Sequence, residues 1–214
     1  MRGLYAIVDT QSLARLGLGV LELADAVLAA RPALLQLRAK ALGARDTLEL
    51  LRALAGRCRA RGVPLFANDR PDLALLAGCD GVHVGQSDLL VTDVRAFAPS
   101  LKVGVSCHDA AELEDALALG PDYVAFGPVF ATASKENPDP VVGVDGLARA
   151  AARVRAAGLP LVAIGGIGLD TARTVAAHAE LGAVIGALLP GPGESLADVT
   201  LGARELHSRL GGES

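Results

Sequence analysis

Short runs of apolar residues alternate along the chain with longer Ala-, Leu- and Arg-rich segments whose apolar positions recur at helical spacing. The short runs are continuous rather than alternating, the pattern of parallel strands buried on both faces. They predict strands over residues 3–9, 34–38, 65–69, 81–84, 103–107, 123–128, 161–166 and 183–188. The longer segments predict helices that include residues 18–30, 45–61, 110–119 and 147–157. Asp109 stands where an N-cap belongs, with Glu112 three residues on as a capping-box partner. Gly62, Gly120 and Gly158 follow their helices as left-handed closing residues do.

Eight strand-then-helix units without a break in composition point to an α/β chain folded as a closed (β/α)8 TIM barrel, one domain over residues 1–214. Such barrels typically take ~250 residues, so short loops are expected. An open doubly wound sheet is the alternative. It usually has fewer strands, and no GxGxxG follows the first run here.

Composition narrows the function classes. Of 214 residues 51% are hydrophobic but only 3% aromatic, so the core must be built from Ala, Val, Leu and Ile. The net charge of −4 argues against a general nucleic-acid binder. No uncharged run reaches the ~18 residues of a membrane span, and Met1-Arg2 leads into no secretory h-region. Cys58, Cys79 and Cys107 are widely spaced and form no CxxC, which suits buried thiols in a reducing compartment. A soluble, cytoplasmic chain is expected, and homo-oligomers stay open.

In a barrel of this type the site lies at the C-terminal strand ends. Those ends collect polar residues: Asp9; "QLRAK" with Gln36, Arg38 and Lys40; Asn68 and Asp69; "GVHVGQSD" to Asp88; Ser106 and His108; and the glycine turn "IGGIG". In extended backbone Gln36, Arg38 and Lys40 share one face and suit a polyanion, unless they are a strand end with snorkelling charges. Asp69 and Asp88, with Asn68 nearby, suit a hard cation such as Mg2+, or they are surface acids, Asp88 then capping the next helix. "IGGIG" lets backbone N–H groups approach an anion ahead of a helix. "GPVFATASK" gathers Thr132, Ser134 and Lys135, which suits a phosphate or a solvated loop. The four histidines show no HxH or HExxH spacing, and no GxSxG surrounds Ser106, which removes zinc and nucleophile-elbow chemistry.

In order and separation, "LYAIVD", "QLRAK", "FANDRPDLALLAGCDGVHVGQSD", "GVSCH", "DYVAFGPVFATASK" and "VAIGGI" resemble the thiamine phosphate synthase family. The resemblance implies coupling of hydroxymethylpyrimidine pyrophosphate to hydroxyethylthiazole phosphate, two phosphorylated small molecules, with Mg2+ as cofactor. By it Gln36, Arg38, Lys40, Asn68, Ser106 and Lys135 would grip the pyrimidine pyrophosphate, with Arg38, Lys40, Ser106 and Lys135 in catalytic roles. Asp69 and Asp88 would hold Mg2+. Thr132, Ser134, Gly166, Ile185 and Gly186 would face the thiazole phosphate. The chain departs from the family in two places: "VIGALL" lacks the usual Ser of the strand-eight turn, and "RAK" replaces the frequent Arg-Glu-Lys. Two alternatives share the barrel: a thiazole tautomerase with His108 as acid/base, and a non-catalytic barrel that binds the thiazole phosphate.

Overall fold

The structure, a computed structural model, describes residues 1–132 and 139–213. Its strands are β1 (Gly3–Asp9), β2 (Leu34–Arg38), β3 (Leu65–Asn68), β4 (Gly81–Val84), β5 (Lys102–Cys107), β6 (Tyr123–Phe126), β7 (Leu161–Ile164) and β8 (Leu181–Val184). All pair in parallel in chain order, and β8 returns to β1, closing the barrel. The helices are α1 (Thr10–Leu16), α2 (Val20–Leu28), α3 (Ala44–Arg61), α4 (Pro71–Ala77), α5 (Val91–Phe97), α6 (Ala110–Leu119), α7 (Gly143–Ala156), α8 (Leu169–Ala176) and α9 (Leu196–Arg209). The (β/α)8 expectation is met.

Several ends differ from the sequence expectation for local reasons. The third strand stops at Asn68 because Asp69 turns left-handed, with φ 62°. The seventh stops at Ile164 because Gly165 has φ 98°. The eighth starts two residues and ends four residues earlier than expected: its pairing with β1 begins at Leu181 opposite Gly3, and Gly186–Leu188 coil into a 3-10 turn. Asp109 caps α6, accepting from the Glu112 N–H at 2.9 Å. The Glu112 carboxylate turns instead to His108, so the capping box is only half made.

Strand side chains pack in two layers because alternate residues face opposite ways. On β1, Leu4, Ala6 and Val8 pack outward against the helices, while Tyr5 and Ile7 point into the barrel with Phe66, Tyr123 and Val162. The inner layer has room for its few aromatics because glycines face them. A Cβ at Gly81 would lie 2.5 Å from Phe66 Cζ, and one at Gly104 would fall inside the Tyr123 ring. All three cysteines are buried and unpaired, and burial pushes their thiols up to about 12, so they stay protonated and unreactive at neutral pH. Among the described residues no helix is long and apolar enough to cross a membrane.

α9 packs beside α8 and α2 outside the barrel, and its last turn reaches the start of β1. Its buried His207 accepts from the Leu4 N–H through Nδ1 at 3.2 Å, and its Nε2 lies 3.1 Å from the Glu213 carbonyl. Gly3 admits this ring, since a Cβ there would stand 2.6 Å from His207 Cε1. His207→Ala should leave a buried N–H unsatisfied beside a cavity, at a cost of about 2–3 kcal/mol. A fall in melting temperature of roughly 4–12 °C is expected by thermal denaturation; an unchanged value would show that this contact is not needed.

Candidate active site

At the other end the strands open into a cavity of about 610 Å3. Its wall includes Gln36, Arg38 and Lys40 from β2 and its exit, Asn68 and Asp69 at the end of β3, and Asp88 after β4. It also includes Ser106 on β5, Thr132 after β6, Gly166 after β7, and Ile185 and Gly186 after β8. Every expected site residue within the described segments therefore meets in one cavity. Ser134 and Lys135 lie outside the described residues.

Arg38 is fixed by a residue the sequence offered only as a strand end. The β1–β2 register sets Asp9 beside Arg38, and Arg38 Nη1 donates to Asp9 Oδ1 at 2.6 Å. The other carboxylate oxygen accepts from the Ser12 N–H at 2.9 Å and Ser12 Oγ at 2.6 Å, capping α1. Asp9 is 1% exposed, so its charge is tolerable only because both oxygens are partnered.

Asp69 and Asp88 converge. Asp69 takes its left-handed backbone, which Asp adopts more readily than most residues, and its N–H donates to the His83 carbonyl at 2.8 Å. Asp88 Oδ2 accepts from the Gly85 N–H at 2.8 Å, and Leu90 rather than Asp88 is the N-cap of α5. The reading of Asp88 as a helix cap is thereby corrected. Lys40 Nζ stands 3.1 Å from Asp69 Oδ2. Even so, burial raises the Asp69 pKa above the ordinary carboxylate value, the Lys40 charge opposing this and the Asp88 carboxyl adding to it. Burial and a like charge thus outweigh the one ammonium.

Among the described residues no cluster of three or more His, Cys, Asp or Glu is placed to hold a metal, so no closed protein-only centre forms. Two repelling carboxylates supply oxygen ligands alone. That set fits a hard cation such as Mg2+, which keeps waters and substrate phosphates in its shell.

A second part of the wall is made of backbone. Gly165 and Gly166 have φ of 98° and 63°, and Gly168 is the N-cap of α8. Ile164 and Gly165 carbonyls accept from Val129 and Phe130 N–H groups at 2.8 and 3.1 Å, docking the loop after β6 on this turn. A Cβ at Gly166 would stand 2.7 Å from Phe130 Cβ, so the close approach requires glycine. The N-terminus of α8 and the 3-10 turn at Gly186 both border the cavity, an arrangement that attracts anions. A Cβ at Gly186 would meet nothing within 4 Å, so this turn has space beside it.

His108 also borders the cavity, but its Nδ1 lies 2.9 Å from Glu112 Oε2 and its Nε2 3.2 Å from Asp139 Oδ2. Sequence reasoning missed the cavity floor. There Tyr5, Tyr123 and His83 join Gln36 to Ser106 by hydrogen bonds of 2.7–2.9 Å. Their only signal was polar residues inside apolar strands.

The sequence profile of thiamine monophosphate synthase matches residues 4–188. The chain belongs to the thiamine monophosphate synthase family. With it the chain joins the transferases of thiamine biosynthesis. It is 45% identical over 197 residues to thiamine-phosphate synthase of Koribacter versatilis, covering 88% of this chain and 90% of that one. The solved thiamine phosphate pyrophosphorylase of Pyrococcus furiosus superposes with a TM-score of 0.83 at 29% identity, covering 97% of this chain and 95% of that one. The probable thiamine biosynthetic bifunctional enzyme of rice (Oryza sativa subsp. japonica) chloroplasts is 39% identical over 173 residues, 80% of this chain. The family member described here spans only 31% of that protein's length.

The raised Asp69 pKa has a consequence for stability. Ionising Asp69 costs the folded state, so its contribution falls as pH rises from the ordinary carboxylate value through the raised one, and the cost persists above. Asn tolerates the same left-handed backbone. At pH 7 without divalent ions, Asp69→Asn should therefore melt no lower than the unaltered protein, and up to about 4 °C higher. A melting point several degrees lower, in parallel scans at pH 4 and 7, would contradict the arrangement.

Proposed function

We propose that this chain is a thiamine phosphate synthase that joins 4-amino-2-methyl-5-hydroxymethylpyrimidine pyrophosphate to hydroxyethylthiazole phosphate, releasing pyrophosphate. The observation that carries the reading is the meeting of Asp69 and Asp88 beside Arg38 and Lys40 in one cavity. An acidic pair next to two basic groups suits a metal diphosphate better than either ligand alone.

Asp69 and Asp88 would hold Mg2+, which when bound supplies positive charge to the departing pyrophosphate. Arg38, held by Asp9, and Lys40 grip the same group, with Asn68 beside them and Lys135 assigned there by its motif. The apolar part of the wall, Ile7, Ala125, Ile164 and Ala183, surrounds the pyrimidine ring and keeps water from its exocyclic carbon. The carbon–oxygen bond breaks with its electron pair leaving on pyrophosphate. The cation left on the pyrimidine methylene is stabilised by its amino group and captured by the thiazole nitrogen, so no protein nucleophile is needed. Gly166, Ile185 and Gly186 offer backbone to the thiazole phosphate, with Thr132 and Ser134 supplying hydroxyls. The open space at Gly186 lets backbone N–H groups replace the hydroxyl that other family members place there.

The tautomerase alternative is less well supported, because both His108 nitrogens face carboxylates. The buried, unpaired thiols suit a reducing cytoplasm.

The decisive assay incubates purified protein with both phosphorylated substrates, with and without Mg2+. Thiamine phosphate and pyrophosphate in equal amounts, dependent on Mg2+, are expected; no product under either condition overturns the reading. Lys135→Ala should lower single-turnover rates about 30- to 1000-fold, the range for a preorganised charge worth about 2–4 kcal/mol, with the melting temperature unchanged. A near-normal rate would remove Lys135 from the site.

A further inference from the structure

Five polar side chains form one continuous line across the inside of the barrel. Gln36 Nε2 donates to Tyr5 Oη at 2.7 Å, and Tyr5 Oη lies 2.9 Å from Tyr123 Oη. Tyr123 Oη lies 2.9 Å from His83 Nδ1, and His83 Nε2 lies 2.8 Å from Ser106 Oγ. The line starts on β2, passes through β1, β6 and β4, and ends on β5, so it crosses the barrel rather than following neighbouring strands. Tyr5, Gln36, His83 and Tyr123 are all buried, and Gln36 and Ser106 at its two ends border the cavity.

Each inner link has one proton to give, which restricts the line. Burial pushes both phenols well above their ordinary range, so each remains a neutral hydroxyl. With the Gln36 amide nitrogen donating to Tyr5, the Tyr5 proton goes to Tyr123 and the Tyr123 proton to His83 Nδ1. His83 is then the neutral Nε2–H tautomer and donates to Ser106 Oγ. The Ser106 proton is left for the cavity, as is the Gln36 carbonyl oxygen. A doubly protonated His83 would reverse the central links and leave the buried Tyr5 hydroxyl without an acceptor among the described residues, which costs free energy. Turning the Gln36 amide over would reverse every link together, giving an acceptor at Ser106 and a donor at Gln36.

We propose that Tyr5, Tyr123 and His83 are positioning residues that couple the two ends of this line, so that they keep or exchange their polarity only together. With the Gln36 amide nitrogen on Tyr5, Ser106 is a hydrogen-bond donor and Gln36 an acceptor toward the heteroaromatic ring in the cavity. The proposal rests on the reading of that ring as an aminopyrimidine and deepens it into a rule of selectivity. An aminopyrimidine edge offers a ring nitrogen as acceptor and an amino group as donor, which match these two ends. Replacing the amino group by an oxo group exchanges the two roles and mismatches both ends at once. Discrimination between the rings then comes from the floor of the barrel and not from the groups that hold the diphosphate.

The central link can be cut without changing shape. Tyr123→Phe removes the shared hydroxyl, after which Gln36 and Ser106 can turn independently. With the aminopyrimidine diphosphate and its 4-oxo analogue as competing substrates, kcat/KM for the amino substrate should fall at least tenfold in Tyr123→Phe. The oxo substrate should lose nothing, and the KM for thiazole phosphate should stay the same. Equal losses for the two rings would mean that Tyr123 is merely structural and would overturn the proposal. Tyr5→Phe, which cuts the neighbouring link, must give the same loss of discrimination and keeps the test usable if the first variant does not fold. A measurement independent of turnover accompanies these. In long-range 1H–15N spectra of the unaltered protein near pH 7.5, His83 should carry its proton on Nε2, and the protonated nitrogen should no longer be fixed in Tyr123→Phe. An Nδ1–H tautomer or an imidazolium overturns the assigned polarity. Absence of product from the unaltered chain overturns only the functional reading, and the spectra then decide the relay.

Discussion

Two carboxyl groups that repel each other are held at the same wall of a half-open cavity, and the remaining features of the mouth follow from that constraint. Asp69 is placed by a left-handed turn whose N–H is anchored on β4, and Asp88 by a turn closed on Gly85. The placement of Asp69 works against its charged form, since burial and the neighbouring acid both disfavour it. Lys40 offsets part of this at 3.1 Å. Sites that store such unfavourable charge are commonly the ones that act on a ligand of complementary charge.

The barrel meets the constraint by dividing its labour along the axis. At one end the last turn of α9 sets His207 against the backbone of β1. Across the middle, a line of hydroxyl, imidazole and amide groups satisfies itself and sets a polar floor. At the open end, charge is gathered: Arg38 is fixed by Asp9, and the glycine turn after β7 brings backbone close to the loop after β6. The proposed metal diphosphate and monophosphate ester would then be held by different walls of one cavity.

Much of this was legible in the order of residues. Continuous apolar runs gave the strand positions, and polar residues at or just past the end of each run gave Gln36, Arg38, Lys40, Asn68, Asp69, Asp88 and Ser106 as one cluster. Those signals are local, which is why they survive without coordinates. The pairing of Asp9 with Arg38 depends on the register of β1 against β2, and spacing within either strand does not contain it. Tyr5, Tyr123 and His83 sit inside apolar runs and read as core; only closure of the barrel brings their polar atoms together. The end of the eighth strand was placed four residues too late because the run around "VIGALL" continues into the 3-10 turn without a polar break. His207 lies far from β1 in sequence, and nothing near it signals that it bonds the backbone of that strand.

The most direct test of the central claim measures binding of inorganic pyrophosphate by calorimetry, with and without Mg2+, in the unaltered protein and in Asp88→Asn. If residues 69 and 88 jointly receive a metal diphosphate, Mg2+ should tighten pyrophosphate binding at least tenfold in the unaltered protein and hardly at all in the variant. Pyrophosphate binding of equal strength with and without Mg2+ in the unaltered protein would contradict the account.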